Sequence, residues 1–451
     1  MESPQAAQLS HKAHVRYALR HLRMLPTPYQ SDDSNRITFG FFALGSLAIL
    51  GGLDRLTDDE RSDYIHWIYQ RWDPDIGGFE GAPKVDLRVP RSQDQRLDQP
   101  HLTHTYTALL MLALLSLPSS QNPMPESPYR NLDLPKLISF VSSCQRPNGS
   151  FGSFPTSPDQ DVRFVYCAVA ILSMVGADIS SVINVRATVS FLTSCRRYEG
   201  GYGQAPYLEA QGGTTYCVLA SLALLNHLEI ALDEQEAQQT IRWLVDRQVE
   251  YEPQESDEED QDGHSSSAED VQPPNQIAQG SSSEESPSQP QPCLATTHSA
   301  QDHPPKLVEN SAAGFQGRIG KVVDACYSFW CTASLMILSA RDASAAQKVV
   351  TPPSYGGQVY YNAKPNIKFL LQCQSNQWGG FSRFPDEHPD VYHTYLALAS
   401  LSISYGDFKK YSLNQDLDSN ITAATNVLSE HDPLLNVPIQ ASQWLRKCFA
   451  S

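Results

Sequence analysis

A turn built from glycine and an aromatic residue recurs along this chain, and each copy lies between two stretches of helical periodicity. The copies are Gly77–Phe79, Asn148–Phe151, Gly200–Tyr202, Ala313–Phe315 and Gly379–Phe381. Their spacing is fairly regular except between the third and fourth copies, where residues 252–310 lengthen it. A repeat of this kind is typical of stacked supersecondary units, because no single unit can bury its apolar surface alone.

Two helices accompany each turn. Apolar residues recur at steps of three and four, while alternating strand patterns are scarce. The sequence predicts helices before the turns at 65–71, 137–145, 189–196, 241–248 and 367–374, helices after them at 105–115, 165–175, 214–225, 326–338 and 392–403, and one more at 38–50. The second helices are apolar nearly all round and suit an inner ring, whereas the first are amphipathic and suit an outer ring. We therefore predict an all-α fold, an α/α toroid of about six hairpins, whose turn glycines mainly end helices.

Charge and composition set the domain plan. The net charge is −17, but residues 252–310 alone hold 13 acidic residues and one lysine. Because this stretch is rich in Ser, Pro, Gln and acidic residues and poor in aromatics, we expect 251–311 to be a disordered insertion. Residues 1–250 and 312–451 then form one domain. The remaining charge gives no sign of nucleic-acid binding.

Targeting signals and cysteine usage indicate a compartment. No long uncharged apolar run predicts a transmembrane segment, and the amino terminus lacks the pattern of a secretory signal. Nine cysteines scattered through apolar stretches fit a reducing environment better than a disulfide framework. We expect a cytoplasmic protein.

Residues 314–330 combine two kinds of chemistry. Arg318 and Lys321 stand three apart and could converge on one anion. Asp324 and Cys326 offer a hard oxygen and a soft sulfur at the short spacing of many metal ligands. Taken alone, this pair is more often structural, since free cysteines are usually buried as small apolar residues.

Longer stretches carry a family resemblance. Residues Asp161–Cys167, Gly314–Trp330 and Trp378–His393, with His14–Tyr17 and 36–44, resemble the β subunits of protein prenyltransferases, in particular the type I geranylgeranyltransferases. The resemblance covers nearly the whole chain outside the acidic insertion. It implies an α-α barrel, in agreement with the repeat, and a heterodimer with a prenyltransferase α subunit.

The resemblance implies a zinc site. In that family an Asp, a Cys and a distant His hold one Zn²⁺, and the matching residues are Asp324, Cys326 and His393. Three protein ligands leave a fourth position open, where the cysteine of a protein substrate can bind as thiolate.

It also implies a prenyl diphosphate site. The diphosphate clamp carries over as Arg318, Lys321 and Tyr327, and Gln211 replaces the family's histidine with a donor that cannot carry charge. Around the isoprenoid the matching residues are Arg163, Tyr166 and Trp330.

Substrate selection follows from five further positions. Farnesyl-specific relatives close the tunnel with bulky aromatics where this chain has Thr38 and Leu396, so a twenty-carbon donor is favoured. Arg383 stands where those relatives place a magnesium-binding aspartate, so we expect Mg²⁺ not to be required. Phe164 and His101 match residues around the acceptor's last side chain and imply a C-terminal Leu or a similar residue.

The sequence therefore predicts the catalytic β subunit of a protein geranylgeranyltransferase type I, acting on C-terminal CaaX motifs of small GTPases such as the Rho type. A farnesyltransferase β subunit is the nearest alternative. The subunit that acts on Rab proteins is disfavoured, because it normally lacks a long amino-terminal segment like the one that contains His14–Tyr17. A non-catalytic toroidal binding module remains an alternative hypothesis, from a different functional class. A terpene cyclase is disfavoured because the folded part lacks an Asp-x-Asp-Asp motif. Cys448, four residues from the end, resembles a prenylation signal, but a packed terminal helix is favoured.

Overall fold

Helices form where apolar residues recur at helical spacing, in a computed structural model that describes residues 8–82, 99–118, 122, 125–252, 311–343, 359–411 and 427–450. The helices are α1 His11–Arg23, α2 Arg36–Ile49, α3 Asp58–Tyr69, α4 Leu102–Leu115, α5 Leu134–Ser143, α6 Val162–Met174, α7 Ile179–Val182, α8 Val185–Ser194, α9 Gly212–Leu224, α10 Leu228–Ala231, α11 Glu234–Val245, α12 Ala325–Ala343, α13 Ala363–Gln372, α14 Val391–Tyr411 and α15 Ile439–Ala450. Two 3₁₀ helices span Thr27–Asn35 and Leu53–Arg55. Three short antiparallel pairs are β1 Trp72–Asp73 with β2 Gly78–Phe79, β3 Gln248–Glu250 with β4 Ala313–Phe315, and β5 His431–Asp432 with β6 Val437–Pro438.

The inner helices close a ring. Helix α2 packs on α4, α4 on α6, α6 on α9, α9 on α12, α12 on α14, and α14 returns to α2. Each inner helix also packs on an outer helix; in order around the ring these are α1, α3, α5, α8, α11 and α13. The predicted all-α toroid of six hairpins is confirmed. Helix α1, which the sequence analysis did not predict, completes the sixth hairpin. Among the described helices, none is long and apolar enough to cross a bilayer.

The turn glycines do more than end helices. Gly200 has a φ of +110°, and a Cβ there would lie 2.5 Å from the carbonyl oxygen of Gln239 in the next outer helix. At Gly379, with a φ of +74°, a Cβ would meet the backbone of Ala13 in α1. We expected the turn glycines mainly to end helices; these two also let one repeat touch the next.

Backbone hydrogen bonds join neighbouring repeats at one end of the ring. The first amides of the inner helices donate to loops that precede the next inner helix. The pairs are Ile37 N to Gly81 O, Leu102 N to Ser153 O, Val162 N to Gln204 O, Gly212 N to Gly317 O and Ala325 N to Arg383 O, at 2.8 to 3.1 Å. All inner helices therefore start at one edge, which we call the rim, and they enclose a space that we call the lumen.

The residues on either side of the acidic insertion pair with each other. Strands β3 and β4 bracket it, and the Tyr251 amide donates to the Ala312 carbonyl at 2.9 Å. The two ends of the insertion thus adjoin, and the repeat continues across them. The predicted disordered insertion is 251–311. Its residues 253–310 lie outside the described residues, whereas Tyr251, at its start, pairs with Ala312.

Helix α15 covers the far end of the ring. It packs on α4 and α6, and its Trp444 indole donates to the Ser116 hydroxyl at 3.0 Å. Cys448 lies in its last turn, next to Phe449, whose ring packs at a tilt against the Tyr129 ring, with the centroids 4.6 Å apart. The chain end is thus helical and packed, as favoured from the sequence.

Candidate functional site

Two side chains that are close in sequence, Asp324 and Cys326, meet the distant His393 at the rim. Asp324 directly precedes α12, Cys326 lies in its first turn, and His393 lies in the first turn of the neighbouring α14. Their ligand atoms all lie within 4.8 Å of one another. The structure therefore brings together an oxygen, a sulfur and a nitrogen donor as a candidate metal site.

Helix capping positions these donors. Asp324 Oδ1 accepts from the Cys326 amide at 2.8 Å, and Asp390 Oδ1 accepts from the His393 amide at 2.8 Å. Each aspartate thus caps an inner helix at the rim. Asp390 Oδ2 lies 2.5 Å from His393 Nδ1, while His393 Nε2 lies 3.4 Å from Asp324 Oδ1. A carboxylate on one ring nitrogen, with the other turned to the site, is the usual arrangement behind a metal-binding histidine.

Burial and mutual contacts set the protonation of the three groups. Burial raises the pKa of the Cys326 thiol to about 12. Burial also opposes ionisation of Asp324, but His393 and the Cys326 amide hold the pKa of that carboxylate below its usual value. Burial disfavours the His393 cation as well, yet Asp390 and Asp324 raise the pKa of the imidazole well above its ordinary range. A divalent ion would displace the protons of Cys326 and His393, whereas Asp324 is already ionised, and Zn²⁺ accepts this mixture of donors.

Arg383 touches this cluster directly. Its Nε donates to Asp324 Oδ2 at 3.0 Å, and its side chain is 47% exposed. The guanidinium therefore holds one oxygen of Asp324 while part of it still faces solvent at the rim. The sequence predicted a cation here but not this contact.

The residues predicted to hold a diphosphate lie on one sector of the rim. Arg318 and Lys321 share a turn, in which the Lys321 amide donates to the Arg318 carbonyl at 3.3 Å. The structure pairs Arg318 with Glu209 at 3.3 Å, and the Lys321 side chain is exposed. Tyr327 is buried with its ring against Gly317.

Gln211 caps α9 in this same sector, without a side-chain capping bond. Its Oε1 and the Trp330 indole both lie within 4 Å of the Cβ position of Gly213. Gln211 thus adjoins Trp330, and the rim sector is continuous with the lumen wall.

Aromatic side chains line the lumen below the rim. Trp330 is partly exposed, and its ring lies 5.0 Å from that of Tyr216. The Tyr166 ring lies 5.4 Å from Tyr216 on the other side. A wall of this kind suits an apolar ligand.

A polar network occupies the rim at α6. Arg163 binds Asp161 at 2.8 Å, and Gln204 donates to the same carboxylate at 3.0 Å. Phe164 meets His101 edge to face at 5.6 Å, where His101 caps α4. The two residues predicted to surround the acceptor's last side chain are therefore neighbours.

Thr38 and Leu396 lie on adjacent inner helices, α2 and α14. Thr38 is partly buried and Leu396 is fully buried. The structure thus places both predicted tunnel-end residues on the same side of the ring.

Sequence reasoning missed Asp390 as the residue that orients His393. The signal was present, because an aspartate three residues before a histidine at a helix start can cap the helix and reach the ring. It also missed that Asp161 fixes Arg163.

Comparison with known proteins agrees with this geometry. The prenyltransferase alpha-alpha toroid domain matches residues 9–437. The chain is 26% identical over 418 residues to the geranylgeranyl transferase type-1 subunit beta of Arabidopsis thaliana, covering 89% of this chain and 87% of the relative. It is 27% identical over 440 residues to the protein farnesyltransferase subunit beta of Schizosaccharomyces pombe, covering 97% and 90%. The solved Candida albicans protein geranylgeranyltransferase-I complexed with GGPP shares the fold, with a TM-score of 0.68, 23% identity and coverage of 98% of this chain and 99% of that chain.

The toroid and its rim thus define a class of protein: the chain belongs to the prenyltransferase α/α toroid family. Within it, the relatives place the chain among the β subunits of protein prenyltransferases, which transfer prenyl groups.

Proposed function

We propose that this chain is the catalytic β subunit of a heterodimeric protein geranylgeranyltransferase type I. It transfers geranylgeranyl from its diphosphate to the cysteine of a C-terminal CaaX motif that ends in Leu or a similar residue. The observation that carries the proposal is the Asp324, Cys326 and His393 cluster at the rim, next to the cation of Arg383 and above an aromatic lumen.

Bound Zn²⁺ would hold the acceptor cysteine as a thiolate and lower the pKa of its thiol. Asp324, Cys326 and His393 would hold the ion, with Asp390 fixing the tautomer of His393. The thiolate displaces diphosphate from the allylic carbon, forming a carbon–sulfur bond as the carbon–oxygen bond breaks.

Cations of the rim would stabilise the charge that grows on the departing diphosphate. Arg318 and Lys321 lie on the α12 side of the α9 start, with Tyr327 and Gln211 as neutral donors near them. The positive ends of the parallel inner helices point to the same edge and add to this effect. Arg383 would supply a fixed charge, so we infer that Mg²⁺ is not required.

The choice of donor and acceptor would depend on side-chain volume. Thr38 and Leu396 are smaller than aromatic residues and leave room for a fourth isoprene unit. Arg163 would lie near the isoprenoid with Tyr166 and Trp330, while Phe164 and His101 would surround the acceptor's last side chain. Small GTPases of the Rho type carry such a sequence end, and a cytoplasmic location would follow from acting on them.

The acidic insertion 251–311 would be a solvated spacer between two parts of one domain. Its attachment by the β3–β4 pair supports this, since the barrel continues across it.

Farnesyl transfer is the second candidate, because the farnesyltransferase relative is as similar to the chain as the geranylgeranyl transferase relative is. An assay of the heterodimer formed with an α subunit from the same source distinguishes the two candidates. Thioether formation on one CaaX peptide ending in Leu is measured with fifteen- and twenty-carbon donors. We expect faster transfer from the twenty-carbon donor, and faster farnesyl transfer would replace our assignment of the donor.

A non-catalytic toroid is tested in the same assay with Cys326→Ala. We expect the variant to lose activity and stoichiometric zinc. Full activity of the variant, or no zinc in the wild-type heterodimer, would remove the basis of the proposal.

A further inference from the structure

One aromatic residue from each inner helix lies at a common depth in the lumen. In five of the helices it is the fifth residue, and in α2 it is the sixth. We call this set the aromatic collar: Phe41, Tyr106, Tyr166, Tyr216, Phe329 and Tyr395. Neighbouring ring centroids lie 5.1 to 6.4 Å apart, and His431 fills the place between Phe329 and Tyr395.

The turn between β5 and β6, residues 433–436, passes into this collar. The four tyrosine hydroxyls of the collar donate to its four consecutive carbonyls. The pairs are Tyr216 with Pro433, Tyr166 with Leu434, Tyr106 with Leu435 and Tyr395 with Asn436, at 2.5 to 3.0 Å. The number of tyrosines in the collar thus equals the number of carbonyls in the turn, and the other two collar residues are phenylalanines.

The hairpin enters from the end opposite the rim. Its approach is anchored where Ser429 bonds to the carbonyls of Ala48 and Ile49 at the end of α2. The strands then rise to the collar, so the turn points toward the rim. Between the collar and the first residues of the inner helices about 6 Å remain, at 1.5 Å per helical residue.

This contact changes the chemistry of the lumen. Because the tyrosine hydroxyls donate to the carbonyls of the turn, the tyrosines present mainly ring surface to the lumen. Leu434 is half-buried, whereas the other residues of the turn are buried. A prenyl chain that enters from the rim is longer than the open depth, so it must lie across the floor and over Leu434.

We propose that turn 433–436, held by the collar tyrosines, is the floor of the prenyl-binding cavity and a determinant of donor chain length. The proposal rests on the proposed function and extends it to residues beyond Thr38 and Leu396. Leu434 fills the space below the chain, and the hydroxyl bonds fix the height of the floor.

Binding to the heterodimer without peptide tests this. The dissociation constants of farnesyl, geranylgeranyl and geranylfarnesyl diphosphate are measured by titration. For Leu434→Trp we expect the preference to shift about tenfold toward the fifteen-carbon donor, and for Leu434→Ala about tenfold toward the twenty-five-carbon donor, the range seen for small changes in pocket volume.

Tyr395→Phe removes one anchor and keeps the ring, so we expect a weaker preference between donors of different length. The matched control is Tyr361→Phe, whose buried hydroxyl binds Ser404 and Asp407 between α13 and α14, away from the collar. It should lose stability without a change in preference. If both Leu434 variants kept the wild-type preference among donor lengths and the wild-type melting temperature, the role of the turn as the floor would be wrong, but the proposed function would not be affected. Failure of the wild-type heterodimer to bind any of the three diphosphates would overturn the proposed function itself.

Discussion

Asp390 shows how one residue serves the fold and the site together. One oxygen caps α14, and the other holds His393 Nδ1. The same side chain therefore starts the helix and aims the imidazole at Asp324. A rim made of helix starts gives such dual roles, because capping residues and ligands share the same positions.

We predict that Asp390→Asn weakens zinc binding by about 10- to 100-fold, since an amide is a poorer acceptor for the imidazole. Asparagine still caps a helix, so the fold should be kept. Chelator competition on the heterodimer measures the affinity. Asp233→Asn, at the matching capping position of the distant α11, is the control. Equal affinity in the Asp390 variant and wild type would argue against the orienting role.

Arg383 is a second residue with two partners, the carboxylate of Asp324 and solvent at the rim. We predict that Arg383→Gln slows prenyl transfer at saturating peptide, while wild-type activity does not change when millimolar Mg²⁺ is added or removed. Steady-state rates over a magnesium series provide the measurement. A wild-type enzyme that needs Mg²⁺ would contradict the role that we give to this guanidinium.

At the scale of elements, contacts between repeats decide which outer helix joins which turn. His14 of α1 has no exposed surface, its Nδ1 accepts from the Gly380 amide at 2.9 Å, and its Nε2 bonds to Gln374 at 3.2 Å. The first outer helix thereby binds the last turn and closes the ring. The amino-terminal helix that carries His14 thus helps to close the ring.

His14 makes this closure sensitive to pH. Burial lowers the pKa of His14 from 6.5 to about 4. A lowered folded-state pKa means that the contribution is complete above pH 6.5 and is lost as the pH falls toward 4, by up to about 3 kcal/mol. Denaturant unfolding at pH 7 and pH 5 should show a smaller pH effect in His14→Gln. Exposed His66→Gln on α3 is the control, and an unaltered pH effect in the His14 variant would refute the prediction.

Gly200 makes the contact between the third turn and α11. We predict that Gly200→Ala destabilises the fold by about 3 kcal/mol or more, because a Cβ meets the backbone of Gln239 at positive φ. Gly176→Ala shares a positive φ but has no atom within 4 Å, so it should cost about 1–2 kcal/mol. Thermal melting compares the two. Equal losses would mean that conformation alone, without packing, explains the glycine.

At the scale of the molecule, the candidate metal site joins two inner helices. Asp324 and Cys326 belong to the start of α12 and His393 to α14, so an ion would link adjacent segments of the ring. Binding of zinc to the folded state alone should stabilise the heterodimer by about 2.7 kcal/mol at a hundredfold excess over the dissociation constant.

We predict that zinc raises the melting temperature of the wild-type heterodimer and does not raise that of Cys326→Ala. Because the Cys326 thiol must lose a proton on binding, the effect should grow as the pH rises. Cys144→Ala replaces a buried cysteine at the end of the outer helix α5 and serves as the control. An equal zinc effect in the Cys326 variant would exclude this thiol as a ligand.

The sequence determined the repeat, the helix types and the order of the hairpins, because helical periodicity and turn glycines are local properties. It also indicated Asp324, Cys326 and His393 as candidate metal ligands, through a resemblance rather than through spacing, and the structure places them together. Tertiary structure decided what depends on contacts between distant segments: Asp390 behind His393, Arg383 on Asp324, α1 on the last turn, and the turn 433–436 inside the collar. Nothing local distinguishes the collar tyrosines from other core aromatics, since their hydroxyl partners lie up to 329 residues away in the chain.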